Sequence, residues 1–385
     1  MLPLRNLKRF FSKAVRQPTY ALSVGFKRLW ALLAYFLGGG KSTSPEALTF
    51  FLTKLCNLSC RMCGQWGDYG ITKQEGAGDL KFQLSLDEIK IVLDDVCRFK
   101  PNITLFGGEP LLYPQIMDVI NHIKKLNLHC LIITNGTLLA SFAKSLVEAG
   151  LDELNISIDG DRELHDEIRG FPGVFDKIME GIEEVNQWKR RLSRNKPLMI
   201  NIQCTINRYN YERLEALLDV AQKAQANSLT FHHLVFLTKD LMEKQKPFDK
   251  LLTCSSRDWE GFIFEPGIDP QKLYKKLEEI LRLKHRFCVD YYPNFSKKMI
   301  EEYYKNPDYL PSEYPPRCVS PWICAYIFPN VDVRPCLNCT YSFGNIREAE
   351  FLKIWNSPKA ILYRKTLKKE GIFPVCRRCT ELYRY

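Results

Sequence analysis

The stretch Cys56-Asn57-Leu58-Ser59-Cys60-Arg61-Met62-Cys63 places three cysteines within eight residues, directly after the apolar run 48–53. A cubane iron–sulfur cluster has four irons, and proteins usually hold it with four thiolates. Three thiolates at this spacing can fix three irons and leave one iron without a protein ligand. An open coordination position distinguishes a catalytic metal site from a closed structural one. A zinc knuckle fits less well, because no His or fourth Cys follows at knuckle spacing.

Length and composition set the class of protein. The chain has 385 residues, of which 45% are hydrophobic and 26% charged, which suits one large α/β domain with a smaller one beside it. It contains fourteen Cys, and its N-terminus does not resemble a cleavable secretory signal. We therefore predict a cytoplasmic protein whose clustered cysteines bind metal rather than form disulfides.

The positive charge is concentrated at the N-terminus. Of the net charge of +11, residues 1–45 supply eight Lys or Arg and no acid. The remaining chain is nearly neutral, so its charge gives no reason to expect nucleic acid as a partner. Residues 4–16 and 27–37 form two basic, amphipathic helical patterns around Pro18.

The N-terminal segment has two interpretations. Its longest apolar run, 29–37, is too short to cross a bilayer, which needs about 20 residues. Residues 1–40 could lie in the membrane interface, making the protein peripheral on the inner face of the membrane. Alternatively, these helices pack against the neighbouring domain and their charges form a solvated face. We predict no transmembrane span and leave the two alternatives open.

From Glu46 onward the pattern alternates between strand and helix. Strands are predicted near 48–54, 102–106, 128–134, 153–158, 199–205 and 228–234, and helices near 85–99, 114–126, 137–149, 174–188 and 212–225. Such alternation implies parallel strands joined by helical crossovers. We predict an α/β fold in which 1–45 is a helical extension, 46–235 a partial (β/α)6 barrel, 236–312 a helical connector or lid, and 313–385 a small α+β cysteine-rich domain.

Unusual residues follow the predicted strands, where ligand sites of barrels lie. Gly107-Gly108-Glu109-Pro110 ends the second strand and Asn135-Gly136 the third. The remaining strand-end candidates are Ser157 and Asp159 after the fourth strand, Arg169 beyond them, and Gln203 and Thr205 on the fifth. The Asn-Gly pair is also a common turn, and His165 is interpreted as a surface residue. His232 and His233 are adjacent on a strand and point to opposite faces, so they cannot easily share one ion.

The CxxxCxxC spacing, followed some 50 residues later by Gly-Gly-Glu-Pro at a strand end, resembles the radical S-adenosylmethionine (radical SAM) enzymes. The resemblance implies that Cys56, Cys60 and Cys63 bind a [4Fe-4S] cluster whose open iron binds SAM. It also implies roles for the strand-end residues. Gly107, Gly108, Glu109 and Pro110 would hold the SAM amine, Asn135 would lie beside SAM, Ser157, Asp159 and Arg169 would contact its ribose or carboxylate, and Gln203 and Thr205 its adenosine.

A second cysteine group lies in the last 75 residues and comprises Cys318, Cys324, Cys336, Cys339, Cys376 and Cys379. By spacing alone, its terminal CxxC suits a zinc ribbon equally well. The group resembles the twitch or SPASM extension of radical SAM enzymes, including the sequences Gly344-Asn345-Ile346 and Ile354-Trp355-Asn356. That resemblance implies an auxiliary [4Fe-4S] cluster, and six cysteines favour the one-cluster twitch type. The predicted ligands are Cys318, Cys336, Cys376 and Cys379, with Cys324 and Cys339 unassigned.

The resemblance implies an enzyme that reductively cleaves SAM and abstracts hydrogen from its substrate, with the auxiliary cluster assisting oxidation. The expected substrate is a sugar, cyclitol or glycan, or else a peptide, and the expected reductant is flavodoxin or ferredoxin. The competing hypothesis is a non-enzymatic iron–sulfur or zinc protein that acts as a sensor or scaffold at a membrane surface.

Overall fold

The computed structural model describes residues 18–75, 80, 82–193 and 196–384. The predicted helix over 4–16 lies outside these residues. One mixed sheet organises the chain. Its strands are β1 (Ala47–Phe51), β2 (Asn102–Phe106), β3 (His129–Thr134), β4 (Glu153–Ser157), β5 (Met199–Thr205), β6 (Ser228–His232), β7 (Cys288–Tyr292), β8 (Cys324–Ile327), β9 (Asp332–Arg334) and β10 (Gly344–Asn345).

The strand order is β10-β9-β8-β1-β2-β3-β4-β5-β6-β7. Strands β1 to β7 pair in parallel, each with the next, and β8 pairs in parallel with the other side of β1. Strands β9 and β10 continue the sheet in antiparallel fashion. The α/β prediction is therefore confirmed. All six predicted strands are present, and the carboxyl ends of the parallel strands meet at one edge, as in other α/β sheets.

Helices connect the strands and cover one face of the sheet. The α-helices of the described residues are Pro18–Leu37, Ile71–Glu75, Leu86–Val96, Ile116–Lys125, Leu139–Ala149, Arg162–Arg169, Val174–Leu192, Ala216–Lys223, Lys239–Leu252, Pro270–Arg282, Lys297–Lys305, Ser320–Ile323, Phe351–Trp355 and Pro358–Glu370. A capping box begins the helix Leu86–Val96, since the Ser85 side chain accepts from the Glu88 amide and the Glu88 carboxylate accepts from the Ser85 amide. Gly150, in the left-handed conformation, ends the helix Leu139–Ala149.

The two faces of the sheet differ in polarity. Residues that point toward the helices, such as Leu154, Ile156, Ile200 and Ile202, are fully buried and apolar. The alternate residues on the same strands carry polar side chains. They form the face of the sheet opposite the helices, which we call the concave face. On that face, Asn201 Nδ2 donates to the side-chain oxygens of two β4 residues, at 3.0 and 3.1 Å, and Asn201 Oδ1 accepts from the Ser228 hydroxyl at 2.8 Å. The concave face therefore carries hydrogen-bonding side chains on several neighbouring strands.

The segment 236–312 differs from its interpretation as a helical connector, because it contributes β7 to the sheet. The strand is short, contains Asp290 in its middle, and is followed by Pro293. These residues weaken the strand pattern in the sequence. Pairing with β6 supplies the stabilisation that local propensity lacks.

The helix Pro18–Leu37 packs on the sheet domain with one face. Ala31 and Tyr35 are buried, the Tyr35 ring lies 4.9 Å from the Trp322 ring, and Arg28 forms a two-point ion pair with Glu46 at 3.0 Å. The opposite face carries six exposed large apolar side chains, which are Phe26, Leu29, Trp30, Leu33, Phe36 and Leu37. The helix thus packs against the neighbouring domain, as one of the two alternatives predicts, and it presents an apolar stripe on its other face. Among the described helices, none is both long enough and apolar enough to cross a membrane.

Candidate functional site

The loop that carries the three N-terminal cysteines begins where β1 ends. Cys60 is buried, whereas Cys56 and Cys63 are half-buried. The loop folds on its own backbone, because the Cys63 amide donates to the Cys60 carbonyl at 2.9 Å and the Gly67 amide to the Cys63 carbonyl at 2.9 Å. Two further amides, those of residues 65 and 66, point at Cys63 Sγ at 3.4 Å each. Amide donors of this kind stabilise a thiolate sulfur.

Two side chains from other elements, one following β3 and one ending the helix Arg162–Arg169, contact the same loop. Arg169 Nη1 lies 3.5 Å from Cys60 Sγ, and Asn135 Nδ2 lies 3.9 Å from Cys56 Sγ. The same Asn135 side-chain nitrogen, Nδ2, also donates to Asn57 Oδ1 at 2.8 Å. Burial raises the pKa of the Cys56 thiol to about 12 and also raises that of Cys60, where the Arg169 guanidinium acts in the opposite direction. A bound metal would remove these thiol protons, because a coordinating thiol is deprotonated.

The backbone of Gly107 and Gly108 packs against the chain that leaves β1. A Cβ atom on Gly107 would lie 2.5 Å from the Thr53 carbonyl oxygen, and one on Gly108 would lie 2.2 Å from that of Leu55. The Gly108 amide donates to the Thr53 carbonyl at 2.8 Å. The resemblance to radical SAM enzymes predicts that these glycines hold the SAM amine. The structure shows that they also allow close approach to the start of the cysteine loop.

Glu109 is fully buried and its carboxylate has three protein donors. Oε1 accepts from the Thr134 hydroxyl at 2.7 Å and from the Leu111 amide at 2.9 Å, while Oε2 accepts from the Asn135 amide at 2.7 Å. Burial raises the pKa of Glu109, and the three donors oppose that shift. The carboxylate thus ties the end of β2 to the end of β3. Pro110 begins the short 3-10 helix that follows, as its fixed φ favours.

Asp159 and Arg169 form a buried ion pair beside the cysteine loop. Arg169 Nη2 lies 2.6 Å from Asp159 Oδ2, and Asp159 Oδ1 accepts from the Thr205 amide at 2.9 Å. The predicted SAM contacts Asp159, Arg169 and Thr205 are therefore neighbours. Their described partners are protein groups, and Arg169 links Asp159 to Cys60.

The interpretation of His165 as a surface residue is wrong. Its side chain is fully buried, and Nδ1 accepts from the Asp159 amide at 3.1 Å. Burial lowers the pKa of His165 to about 2, so the ring is neutral. The helix Arg162–Arg169 is polar in composition, and a charge-rich helix suggests a solvated face unless its packing is known. The only local signal was the spacing of His165 and Arg169 by four residues.

Three side chains at the ends of β5, β6 and β7 form a polar row. Gln203 Oε1 lies 2.5 Å from His232 Nε2, the His232 ring lies 6.1 Å from the Tyr292 ring, and Tyr292 Oη donates to the Thr380 carbonyl at 2.8 Å. Ser157 pairs with Gln203 across the sheet. The row therefore continues the concave face toward the C-terminal domain.

His233 has entirely different surroundings from its neighbour. It is buried among aromatic rings, and Nδ1 lies 2.9 Å from the Tyr304 hydroxyl. The prediction that the two histidines face opposite sides is confirmed.

The C-terminal cysteines gather around one cavity. Its lining includes Cys318, Cys336, Cys339, Cys376 and Cys379. Cys324, in contrast, lies buried on β8 opposite Ala47 of β1. The four predicted auxiliary ligands are thus brought together, and the structure adds Cys339 to them. The sequence analysis leaves Cys324 and Cys339 unassigned, and the structure separates them, because Cys339 lines the cavity and Cys324 lies on β8.

Both cysteine groups fit iron–sulfur ligation by their chemistry, since thiolates are the usual protein ligands of such clusters. The described residues contain no preformed group of three or more Cys, His, Asp or Glu side chains in metal-binding geometry. The thiols of the N-terminal loop and those around the C-terminal cavity are the described groups that would hold the clusters.

Comparisons with known proteins assign the two cysteine groups to two different domains. Residues 50–189 match the family model of the radical SAM superfamily, and residues 318–380 match that of the SPASM iron–sulfur cluster-binding domain. The number of cysteines in this domain favours the twitch type, whereas the family model that matches it is the SPASM model. Both matches together imply SAM, a [4Fe-4S] cluster and auxiliary iron–sulfur clusters as cofactors.

Two curated relatives come from Methanosarcina barkeri. An AdoMet-dependent heme synthase is 28% identical over 88% of this chain and 89% of its own length. An Fe-coproporphyrin III synthase is 29% identical over 57% of this chain, and the chain spans about half of that protein, 51%.

Among solved structures, Streptococcus suis SuiB bound to S-adenosylmethionine superposes with a TM-score of 0.59 over 86% of this chain and 70% of that one, at 17% identity. This likeness concerns the fold. Taken with the two family models, these comparisons show that the chain belongs to the radical SAM superfamily of enzymes and carries a C-terminal SPASM-type iron–sulfur domain.

Proposed function

We propose that this protein reductively cleaves SAM at a [4Fe-4S] cluster held by Cys56, Cys60 and Cys63, and abstracts hydrogen from a substrate bound against the concave face of its sheet. When bound, the cluster and SAM supply the electron transfer and the radical chemistry. The observation that carries the proposal is the convergence of Asn135 and Arg169 on the cysteine loop. Asn135 directly follows β3 and Arg169 ends the helix after β4, so both come from the edge of the sheet where catalytic residues of α/β barrels are positioned.

The chain's own residues supply position and charge. We infer that the Glu109 carboxylate, held by donors from the end of β3, fixes the backbone of Gly107 and Gly108, whose carbonyl groups are available to the SAM amine. Arg169 places a positive charge beside Cys60 while remaining paired with Asp159. Such fixed groups lower the cost of reorganising the site during reaction.

We infer a polar substrate from the concave face of the sheet. Gln203, His232 and Tyr292 are part-exposed at the ends of β5 to β7, and Ser157 lies beside Gln203 on the neighbouring strand. Hydroxyl or amide groups of a sugar, cyclitol, glycan or peptide would satisfy such side chains. A tetrapyrrole is the second candidate, favoured by the heme synthase relative that aligns over 88% of the chain.

The enzymatic step is tested by anaerobic reconstitution with iron and sulfide, reduction with dithionite or flavodoxin, and measurement of 5′-deoxyadenosine. We expect its formation by the wild-type chain and its loss in Cys60→Ala. The matched control is Cys288→Ala, because Cys288 is exposed and lies outside both cysteine groups. Formation of 5′-deoxyadenosine by Cys60→Ala at the wild-type rate would refute the assignment. A deuterated panel of glycans, peptides and tetrapyrroles then identifies the substrate class by deuterium transfer.

We also propose that the protein acts at the cytoplasmic surface of a membrane, with the helix Pro18–Leu37 as the contact. Its outward stripe exposes 55% of Leu29 and 46% of Trp30, although its inner face is packed against the domain. The basic residues of 1–45 have no acidic counterpart before Glu46. Apolar side chains combined with positive charge favour the interface of an anionic bilayer.

This contact is tested by co-sedimentation with vesicles of phosphatidylglycerol and phosphatidylcholine. The double variant Leu29→Ser/Leu33→Ser should bind about tenfold or more weakly, because each substitution removes apolar burial in the interface. Leu251→Ser is the matched control, since Leu251 is 63% exposed on a distant helix. Equal vesicle binding by the wild type and the double variant would exclude this helix as the contact.

A further inference from the structure

Cys254 belongs to the segment between the barrel and the C-terminal domain, and its side chain is half-buried. In the structure its Sγ lies 3.9 Å from Cys339 Sγ. The helix Lys239–Leu252 ends immediately before it, with Thr253 in the left-handed conformation, and the Cys254 amide donates to the Asp249 carbonyl at 2.9 Å. Two cysteines separated by 85 positions in the sequence are thus brought into contact by the fold.

The loop that carries Cys254 is fixed to the C-terminal domain. The Thr340 amide donates to the Ser255 carbonyl at 3.1 Å, and the Ser255 amide donates to Thr340 Oγ1 at 2.8 Å. On the other side, Asp249 accepts from the amide and the hydroxyl of Ser256, both at 2.8 Å. The position of Cys254 is therefore determined by a set of hydrogen bonds on both sides of the thiol contact.

Cys339 joins Cys254 to the auxiliary cysteines. Its Sγ lies 3.9 Å from Cys254 Sγ, and Cys339 lines the same cavity as Cys336. Cys336 and Cys339 line the cavity shared with the remaining three C-terminal thiols, and Ser256 and Trp259 line the same cavity from the Cys254 side. The fold therefore places the Cys254 thiol in contact with one thiol of the auxiliary cavity.

We propose that Cys254 is an iron ligand of the auxiliary iron–sulfur site, acting together with Cys339, so that this site draws six thiols from two parts of the chain. One cubane cluster uses four thiolates, and the two additional thiols give the site ligands for further iron or for exchange at one iron. The proposal rests on the iron–sulfur assignment of the C-terminal domain and is independent of the substrate.

If Cys254 binds iron, one short chain segment links the auxiliary site to the N-terminal cysteine loop. From Cys254 the chain continues through the 3-10 helix Arg257–Phe262, in which the Trp259 and Phe262 rings lie 5.8 Å apart. Phe262 packs on Gly64, next to Cys63, so closely that a Cβ on Gly64 would lie 2.5 Å from its ring. The same short segment therefore touches the auxiliary cavity at one end and the N-terminal cysteine loop at the other.

The experiment isolates the auxiliary site in the full chain by replacing Cys56, Cys60 and Cys63 with Ala. In that background, iron and acid-labile sulfide are counted, and the electron paramagnetic resonance spectrum of the reduced protein is recorded with and without Cys254→Ser. We expect Cys254→Ser to lower the iron content or to change the spectrum, and Cys339→Ser to produce the same change. Cys288→Ser is the matched control and should leave both measurements unchanged.

A conservative variant separates ligation from packing. Cys254→His retains a metal-binding side chain, so it should keep the iron while shifting the spectrum, whereas a structural role would predict no spectral shift in any variant. Unchanged iron, sulfide and spectrum in Cys254→Ser would overturn the proposal, as would a Cys254–Cys339 disulfide found by mass spectrometry in the loaded protein. Absence of iron in the triple-Ala background would overturn the auxiliary assignment itself, and 5′-deoxyadenosine formation by the unmodified protein would still test the SAM site separately.

Discussion

Replacing Arg169 by Ala should destabilise the protein far more than replacing an exposed arginine of similar pairing. Arg169 is 8% exposed and its guanidinium lies 2.6 Å from Asp159 Oδ2, and the Asp159 side chain is 0% exposed. Removing one partner of a buried ion pair leaves an uncompensated charge and costs about 3 to 5 kcal/mol. The Thr205 amide would be the remaining donor to Asp159 described in the structure.

The expected change in melting temperature follows from the size of the chain. From the general entropy of unfolding per residue, a chain of 385 residues has an unfolding entropy of about 0.8 kcal/mol per kelvin. The loss of stability in Arg169→Ala therefore lowers the melting temperature by about 4 to 6 °C. The matched control is Arg213→Ala, because Arg213 pairs with Asp161 at 2.7 Å but its side chain is 56% exposed. A surface pair of this kind contributes about 0 to 1 kcal/mol, which is a shift of about 1 °C or less.

Thermal unfolding followed by circular dichroism, on metal-free and cluster-loaded protein, measures both variants. The double variant Arg169→Met/Asp159→Asn should recover most of the loss, because both charges are removed and the Asn oxygen can still accept from the Thr205 amide. If Arg169→Ala melts within about 1 °C of Arg213→Ala, or if the double variant melts no higher than Arg169→Ala, the buried pair does not have the role assigned to it.

Three further predictions concern other parts of the molecule. Burial lowers the pKa of His233 to about 3, while an unfolded His titrates near 6.5, so its contribution to stability should be lost as the pH falls below about 6.5, at about 1.4 kcal/mol per pH unit. His233→Phe should therefore reduce the slope of melting temperature against pH between 6.5 and 4, and an unchanged slope would contradict the assignment. Gly261→Ala should increase hydrogen exchange in peptides covering 60–67, because the new Cβ would collide with the Gly64 carbonyl oxygen; wild-type protection would argue against this contact. Ser85→Ala should lose the capping box and about 1 kcal/mol of unfolding free energy, whereas a loss below about 0.3 kcal/mol would mean that the cap is dispensable.

Much of the fold was predictable because its signals are local. The six central strands follow short apolar runs, and the capping box at Ser85 consists of residues three positions apart. The three N-terminal cysteines are likewise close together in the sequence. Even the proximity of Glu109 to Asn135 follows from topology, because neighbouring parallel strands end at the same edge.

The rest depended on distant contacts that no local pattern contains. His165 is buried because its ring accepts from the Asp159 amide, although its helix is polar in composition. Strand β7 exists because β6 offers it a partner. Cys254 approaches Cys339 because hydrogen bonds at Thr340 hold two loops together. In each case tertiary packing decides the outcome against a weak or misleading local preference.

The parallel pairing of β1 with β8 determines how far apart the two cysteine sites lie. The N-terminal loop leaves from the end of β1, and the SPASM strands continue the same sheet through a register that begins at Ala47 and Cys324. Hydrogen-bonded strands are spaced about 4.8 Å apart and cannot slide by less than a full step of the register. The sheet therefore holds the start of the N-terminal cysteine loop and the first strand of the C-terminal domain in one hydrogen-bonded framework, so their spacing is set by strand pairing.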